Sequence, residues 1–123
     1  MAKRLNSKYA NRSISWGTMR TEDLLEKFTS FLARMQQEEN ITLDRYANIT
    51  LEYAYDIISK YPECFSYYAN PDVSLPQSVI EDADELVHEL FDALNDIAPK
   101  GCYFGAHPGD GSDYGFWKDG GEW

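Results

Sequence analysis

The chain reads as an α+β fold, with three amphipathic helices packed on a small antiparallel sheet made of an N-terminal strand and a C-terminal β-hairpin. Three observations predict it. Apolar side chains recur at helical spacing in three separate stretches between residues 21 and 98. Aromatics and glycines flank a Pro108-Gly109-Asp110-Gly111 turn near the C-terminus, the pattern of a hairpin. A hairpin is marginal alone and needs a third strand, which the alternating Ser13-Ile14-Ser15-Trp16-Gly17 supplies.

Residues 1–12 are polar and basic and read as a flexible arm, followed by one domain over 13–117 and a short tail over 118–123. Thr21 is the expected N-cap of the first helix, and Glu22 and Asp23 suit the positive first turn behind it. Leu24, Leu25, Phe28, Phe31, Leu32 and Met35 carry that helix to about Glu39, and Asn40 stops it. The second helix starts near Thr42 and ends at Lys60 before Pro62. Its inward stripe reads Leu43, Tyr46, Ala47, Thr50, Tyr53, Ala54, Ile57 and Ile58, and each buried tyrosine hydroxyl would need a partner.

An irregular connection follows over 62–77, anchored by Phe65, Tyr67 and Tyr68. Ser78-Val79-Ile80-Glu81 is the expected capping box of the third helix, although a start at Ser74 also fits. Val79, Ile80, Ala83, Leu86, Val87, Leu90, Phe91, Leu94 and Ile97 mark its core face, and Pro99 and Gly101 end it. In the hairpin, a loop over Pro108–Gly111 sets His107 opposite Ser112, Gly105 opposite Tyr114 and Phe104 opposite Gly115. Each strand glycine then faces an aromatic ring that covers its bare backbone.

With 123 residues, 43% of them hydrophobic and 15% aromatic, the chain has enough apolar surface for a core without metals or disulfides. No apolar run is long enough to span a bilayer, and the basic start, with no apolar stretch behind it, is not expected to be a secretory signal. Cys64 and Cys102 suit a reduced interior better than a stapled scaffold, although spacing alone leaves a single disulfide open. The expected compartment is the cytoplasm.

Charge supplies the functional lead. The net charge is −10, and it is unevenly spread. Residues 1–20 hold five basic side chains and no acidic ones, whereas residues 61–99 hold nine acidic side chains and no Lys or Arg. Such a surface repels phosphates, so direct nucleic-acid binding is not expected of it. It attracts a basic partner instead, or it serves solubility alone. Asp82, Asp84, Glu85, Glu89, Asp92 and Asp96 concentrate the charge on the third helix.

Other constellations are weaker. His107, Asp110 and Asp113 gather at the hairpin turn, and an imidazole with two carboxylates is a legitimate metal-ligand set. Asp-Gly and Gly-Asp are also what tight turns are made of. The turn opens no helix and lacks the alternating oxygens and closing glutamate of an EF-hand. Rings of Tyr103, Phe104, Tyr114, Phe116 and Trp117 could stack a flat ligand, but rings on one sheet face more often fill a core. His88 has Asp84 and Asp92 one turn away on either side, the pattern of an ordinary helical ion pair as much as of a base. No nucleophile motif, zinc pair or redox motif is present. The chain is not expected to be an enzyme and implies no cofactor.

The segments from Ser13 to Leu24 and from Tyr103 to Trp117, with the helix over 78–98, resemble those of small acidic proteins encoded by bacteriophages and mobile elements. The resemblance carries no catalytic residue with it. It implies a genetic setting, that of an accessory protein acting inside a bacterial cell. Joined to the charge, it gives the leading expectation: an inhibitor of a host nucleic-acid-handling defence protein, in the manner of anti-CRISPR proteins. The six carboxylates of the third helix would stand in for phosphates in a basic groove of that host protein. A ligand- or metal-binding module centred on His107, Asp110 and Asp113 is the alternative, and a structural phage component is a third.

Overall fold

The computed structural model describes residues 4–15, 20–65, 75–107 and 109–118. Among them, strand β1 (Arg12–Ser15) is followed by helices α1 (Thr21–Glu38), α2 (Arg45–Lys60) and α3 (Gln77–Asp96), and by strands β2 (Cys102–His107) and β3 (Asp110–Lys118). The three strands form one antiparallel sheet in the order β1-β3-β2. The fold is α+β, as the sequence predicts. Tyr67, Tyr68 and Trp16 lie outside the described residues.

Helices α1 and α3 pack on the sheet and on each other, and α2 packs against both of them. A cluster of rings cements the first interface. Phe28 meets Phe104 edge-on at 5.2 Å, Phe91 meets the same ring at 5.1 Å, and Phe31 lies 5.8 Å from Phe116. Leu25, Leu32, Leu90 and Leu94 are fully buried around them, and each contributes about 1.5–3 kcal/mol through lost water contact.

The helix starts differ from expectation. Thr21 and Ser78 are not caps; each lies inside its helix, behind Arg20 and Pro76, which offer no side-chain cap. The Thr21 hydroxyl instead donates to Asp84 on α3. Among the three described helices, the side-chain N-cap belongs to Asp44, which accepts from the Ala47 N–H at 2.8 Å and opens α2 three residues later than Thr42 predicts. At the end of α1, Asn40 adopts φ +53° as a stop residue, and the Ile41 N–H turns back to the Met35 carbonyl.

Residues 4–12, expected as a free arm, are tied to the body. Leu5 is buried, its N–H donates to Ile97 O at 2.8 Å, and Arg4 donates to Ala98 O. These donors satisfy carbonyls at the C-terminal end of α3. The Tyr9 hydroxyl donates to Glu39 at 2.8 Å.

The hairpin exists, but its register is one residue from the expected one. Gly105 pairs with Gly115, Phe104 with Phe116 and Ala106 with Tyr114, and the pairing then shifts to His107 with Asp110. The irregularity absorbs residues 111–113 on β3, so a simple four-residue loop does not set the pairing. The glycines therefore do not face rings across the ladder. They face each other because space is short. A Cβ on Gly115 would sit 2.9 Å from the Arg12 carbonyl carbon, closer still to its oxygen, and 2.9 Å from the Trp117 ring. Trp117 is buried and donates its indole N–H to Gly105 O at 2.8 Å.

Candidate functional site

The tyrosine stripe of α2 is where structure and expectation part most. Tyr46 and Tyr53, expected to face the core, are 81% and 62% exposed. Ala47, Thr50, Leu51 and Ala54 hold the inward positions instead. Small residues there let α2 sit close to its neighbours. The larger rings are left on the next face of the helix, at the edge of a groove.

That groove runs between α2 and α3 and encloses about 740 Å³. Its floor is made by the buried Ala47, Thr50, Leu86 and Ala93. One wall is the α2 row of Tyr46, Ile49, Tyr53, Ile57 and Lys60; the other is the α3 row of Asp82, Glu85, Glu89, Asp92 and Asp96. Steps of three and four place each row on a single helix face. A hydrogen bond of 2.9 Å from the Thr50 hydroxyl to Glu89 joins α2 to α3 across the floor.

Five of the six carboxylates singled out in the sequence are thus brought together, on the wall of a concavity. The sixth, Asp84, turns to Thr21 on α1 and does not line the groove. With Asp44, the cap of α2, and Asp56 within it, seven acidic residues among those described line the groove against one basic residue, Lys60. Lys60 is engaged at 3.4 Å by Asp56. The α3 row contains no cation at all. Its four successive like-charged neighbours cost about 1–2 kcal/mol together, less in salt. A cationic partner would relieve that cost.

Sequence reasoning missed Tyr46, Ile49 and Tyr53 as site residues. A signal was present: the apolar positions of α2 from Tyr46 to Ile58 span a stripe too wide for one buried interface.

The hairpin constellation fares differently. His107 and Asp110 are paired across the ladder, but the imidazole is already engaged. Its Nδ1 accepts from the Gly109 N–H at 2.9 Å, and its ring stands edge-on to Trp117 at 4.7 Å. Asp113 is half-buried, and the Asp110 side chain lies outside what the structure describes. Among the described residues, no three His, Cys, Asp or Glu side chains converge as a metal site. His88 is exposed on α3. No disulfide joins Cys64, which is buried, to Cys102, which is half-buried.

Fold and groove together define an α+β protein with an anionic, aromatic-edged cleft. No family model, curated protein or solved structure matches the chain. Among the described residues, no helix is long and apolar enough to cross a membrane.

Proposed function

We propose that this protein is a non-catalytic accessory protein of a phage or mobile element. In this reading it works in the bacterial cytoplasm, where it binds and inhibits a nucleic-acid-handling defence protein of the host. The observation that carries the reading is the α3 row Asp82, Glu85, Glu89, Asp92 and Asp96, all exposed and without a cation of its own helix. Proteins that handle nucleic acid present basic surfaces for phosphate. An anionic row competes for such a surface, steers the encounter and repels nucleic acid itself.

The test is infection. Bacteria carrying one of several nucleic-acid-targeting defence systems are challenged with a targeted phage, with and without this protein expressed. Plating rises by orders of magnitude for at least one system, and Asp82→Lys/Glu85→Lys/Asp92→Lys abolishes the rise while circular dichroism shows unchanged helix content. Equal protection by the triple variant refutes the charge reading, and no protection against any system refutes inhibition.

A further inference from the structure

We infer that the α2–α3 groove is a docking site for one cationic amphipathic helix of a partner protein, with α3 binding its Lys and Arg edge and α2 its apolar edge. The inference deepens the proposed function and rests on it for the partner's identity, but not for the chemistry of the groove.

Length is the first support. The lining residues run from Asp44 to Tyr61 on α2 and from Val79 to Asp96 on α3. A 16-residue helix such as α2 is ~24 Å long. The groove is therefore an elongated slot, the shape left when two neighbouring helices lack a third on their outer side.

Periodicity is the second. Both walls repeat at steps of three and four: Tyr46, Ile49 and Tyr53 on one side, Glu85, Glu89 and Asp92 on the other. A helix laid between them presents side chains at the same spacing to both, one edge apolar and the adjacent edge charged. Exposed tyrosines suit such a contact, since a ring gives large area at little entropy cost and keeps its hydroxyl in water.

Charge decides among occupants. Anionic lipid and nucleic acid are repelled by the α3 wall. A second copy docked groove to groove would face that wall with another like it. A head-to-tail copy offering Arg12, Lys27 and Arg34 fares no better, because those residues line a cleft of about 500 Å³ and not a ridge. A concave surface cannot fill a concave slot. A cationic helix meets both walls.

The probe is a fluorescent 16-residue helical peptide with leucine along one edge and lysine along the next, titrated by anisotropy at low and moderate salt. Three controls share its length: a sequence-scrambled version, one with serine for leucine, and one with glutamate for lysine. The intact protein binds the amphipathic cationic peptide about tenfold or more tighter than any control. Tyr46→Ser/Tyr53→Ser removes that preference, and Glu85→Gln/Asp92→Gln weakens binding and flattens its salt dependence. Glu81→Gln, which removes an exposed α3 charge outside the groove, leaves it within twofold (about 0.4 kcal/mol). All five positions are exposed, so the fold tolerates the changes.

Equal affinity for the scrambled peptide would mean simple polycation attraction and overturn the inference, as would no binding. Self-association in sedimentation that Tyr46→Ser/Tyr53→Ser dissolves would overturn it in favour of a second copy. The two readings also fail separately. If Tyr46→Ser/Tyr53→Ser keeps full protection in the infection assay while the lysine triple variant loses it, the groove inference falls and charge-based inhibition stands. If the peptide binds as described and no defence system is relieved, the groove stands and the inhibitor reading falls.

Discussion

Gly115→Ala is the sharpest perturbation of the sheet, because the added methyl group meets the backbone of a neighbouring strand as well as a buried ring. Its Cβ would lie 2.9 Å from the Arg12 carbonyl carbon, nearer to the oxygen, and 2.9 Å from the Trp117 ring. Relief requires β1 to move away from β3, and the Trp117 ring to shift as well. Overpacking of this kind costs about 1–3 kcal/mol. Displacing β1 further weakens its ladder hydrogen bonds, each worth about 0.5–1.5 kcal/mol net. Alanine recovers about 0.5–1 kcal/mol in backbone entropy relative to glycine. The balance is a loss of about 3 kcal/mol, a large share of the roughly 5–15 kcal/mol typical of a domain. Gly105→Ala is the internal control. The nearest neighbours of its Cβ would be rings, Tyr103 at 3.3 Å and Phe91 at 3.5 Å, and the change should cost no more than about 1 kcal/mol. Urea unfolding followed by circular dichroism and tryptophan fluorescence compares the two. Losses equal within about 0.5 kcal/mol would refute the close approach of β1 to Gly115, and with it the glycine-to-glycine register.

Two carboxylates of α1 give further outcomes. Glu22 is 3% exposed, accepts the buried Leu75 N–H at 2.9 Å and has the Arg20 guanidinium at 3.7 Å. Glu22→Ala strands that N–H and costs about 2–4 kcal/mol, whereas Glu22→Gln keeps an acceptor and costs about half as much; equal losses in urea melts would contradict the assigned bond. Glu26 is held above its ordinary value chiefly by burial, with Asp23 adding to the rise and Lys27 opposing it. Its folded value exceeds the unfolded one, so its contribution to stability is present in acid and is lost as pH rises through the folded value. Glu26→Gln should therefore raise Tm at neutral pH, with the advantage shrinking as the buffer is taken into the acid range. A constant or reversed difference would show that burial does not act on Glu26 in this way.

Helix existence was legible in this sequence because Leu24, Leu25, Phe28 and Leu32, or Leu86, Leu90 and Leu94, have one physical use at their spacing. The β-hairpin was legible from its turn residues and flanking rings. Register was not. It depends on how residues 111–113 are absorbed and on the approach of Arg12, a contact made across most of the chain. Caps failed for a related reason. Thr21 can cap its own helix or bond a neighbour, and only the packed α1–α3 pair selects Asp84. The candidate site was legible in half. Its carboxylates stood out as a run without cations, while its aromatic wall did not. A tyrosine offers both a ring to bury and a hydroxyl to solvate, so the periodicity of Tyr46 and Tyr53 fits core and rim alike.

The strand order β1-β3-β2 has a consequence for how the chain acquires its shape during synthesis. The central strand is the last of the three to be made. Until Asp110–Lys118 is available, β1 and β2 have no partner on which to form a ladder, and the rings of Phe28, Phe31 and Phe91 lack Tyr114 and Phe116, the half of their ring cluster that β3 supplies. The helices can form early, being local, but the sheet assembles in one late step. The strand that completes the hairpin is also the strand that captures residues 12–15, so local and long-range order arrive together.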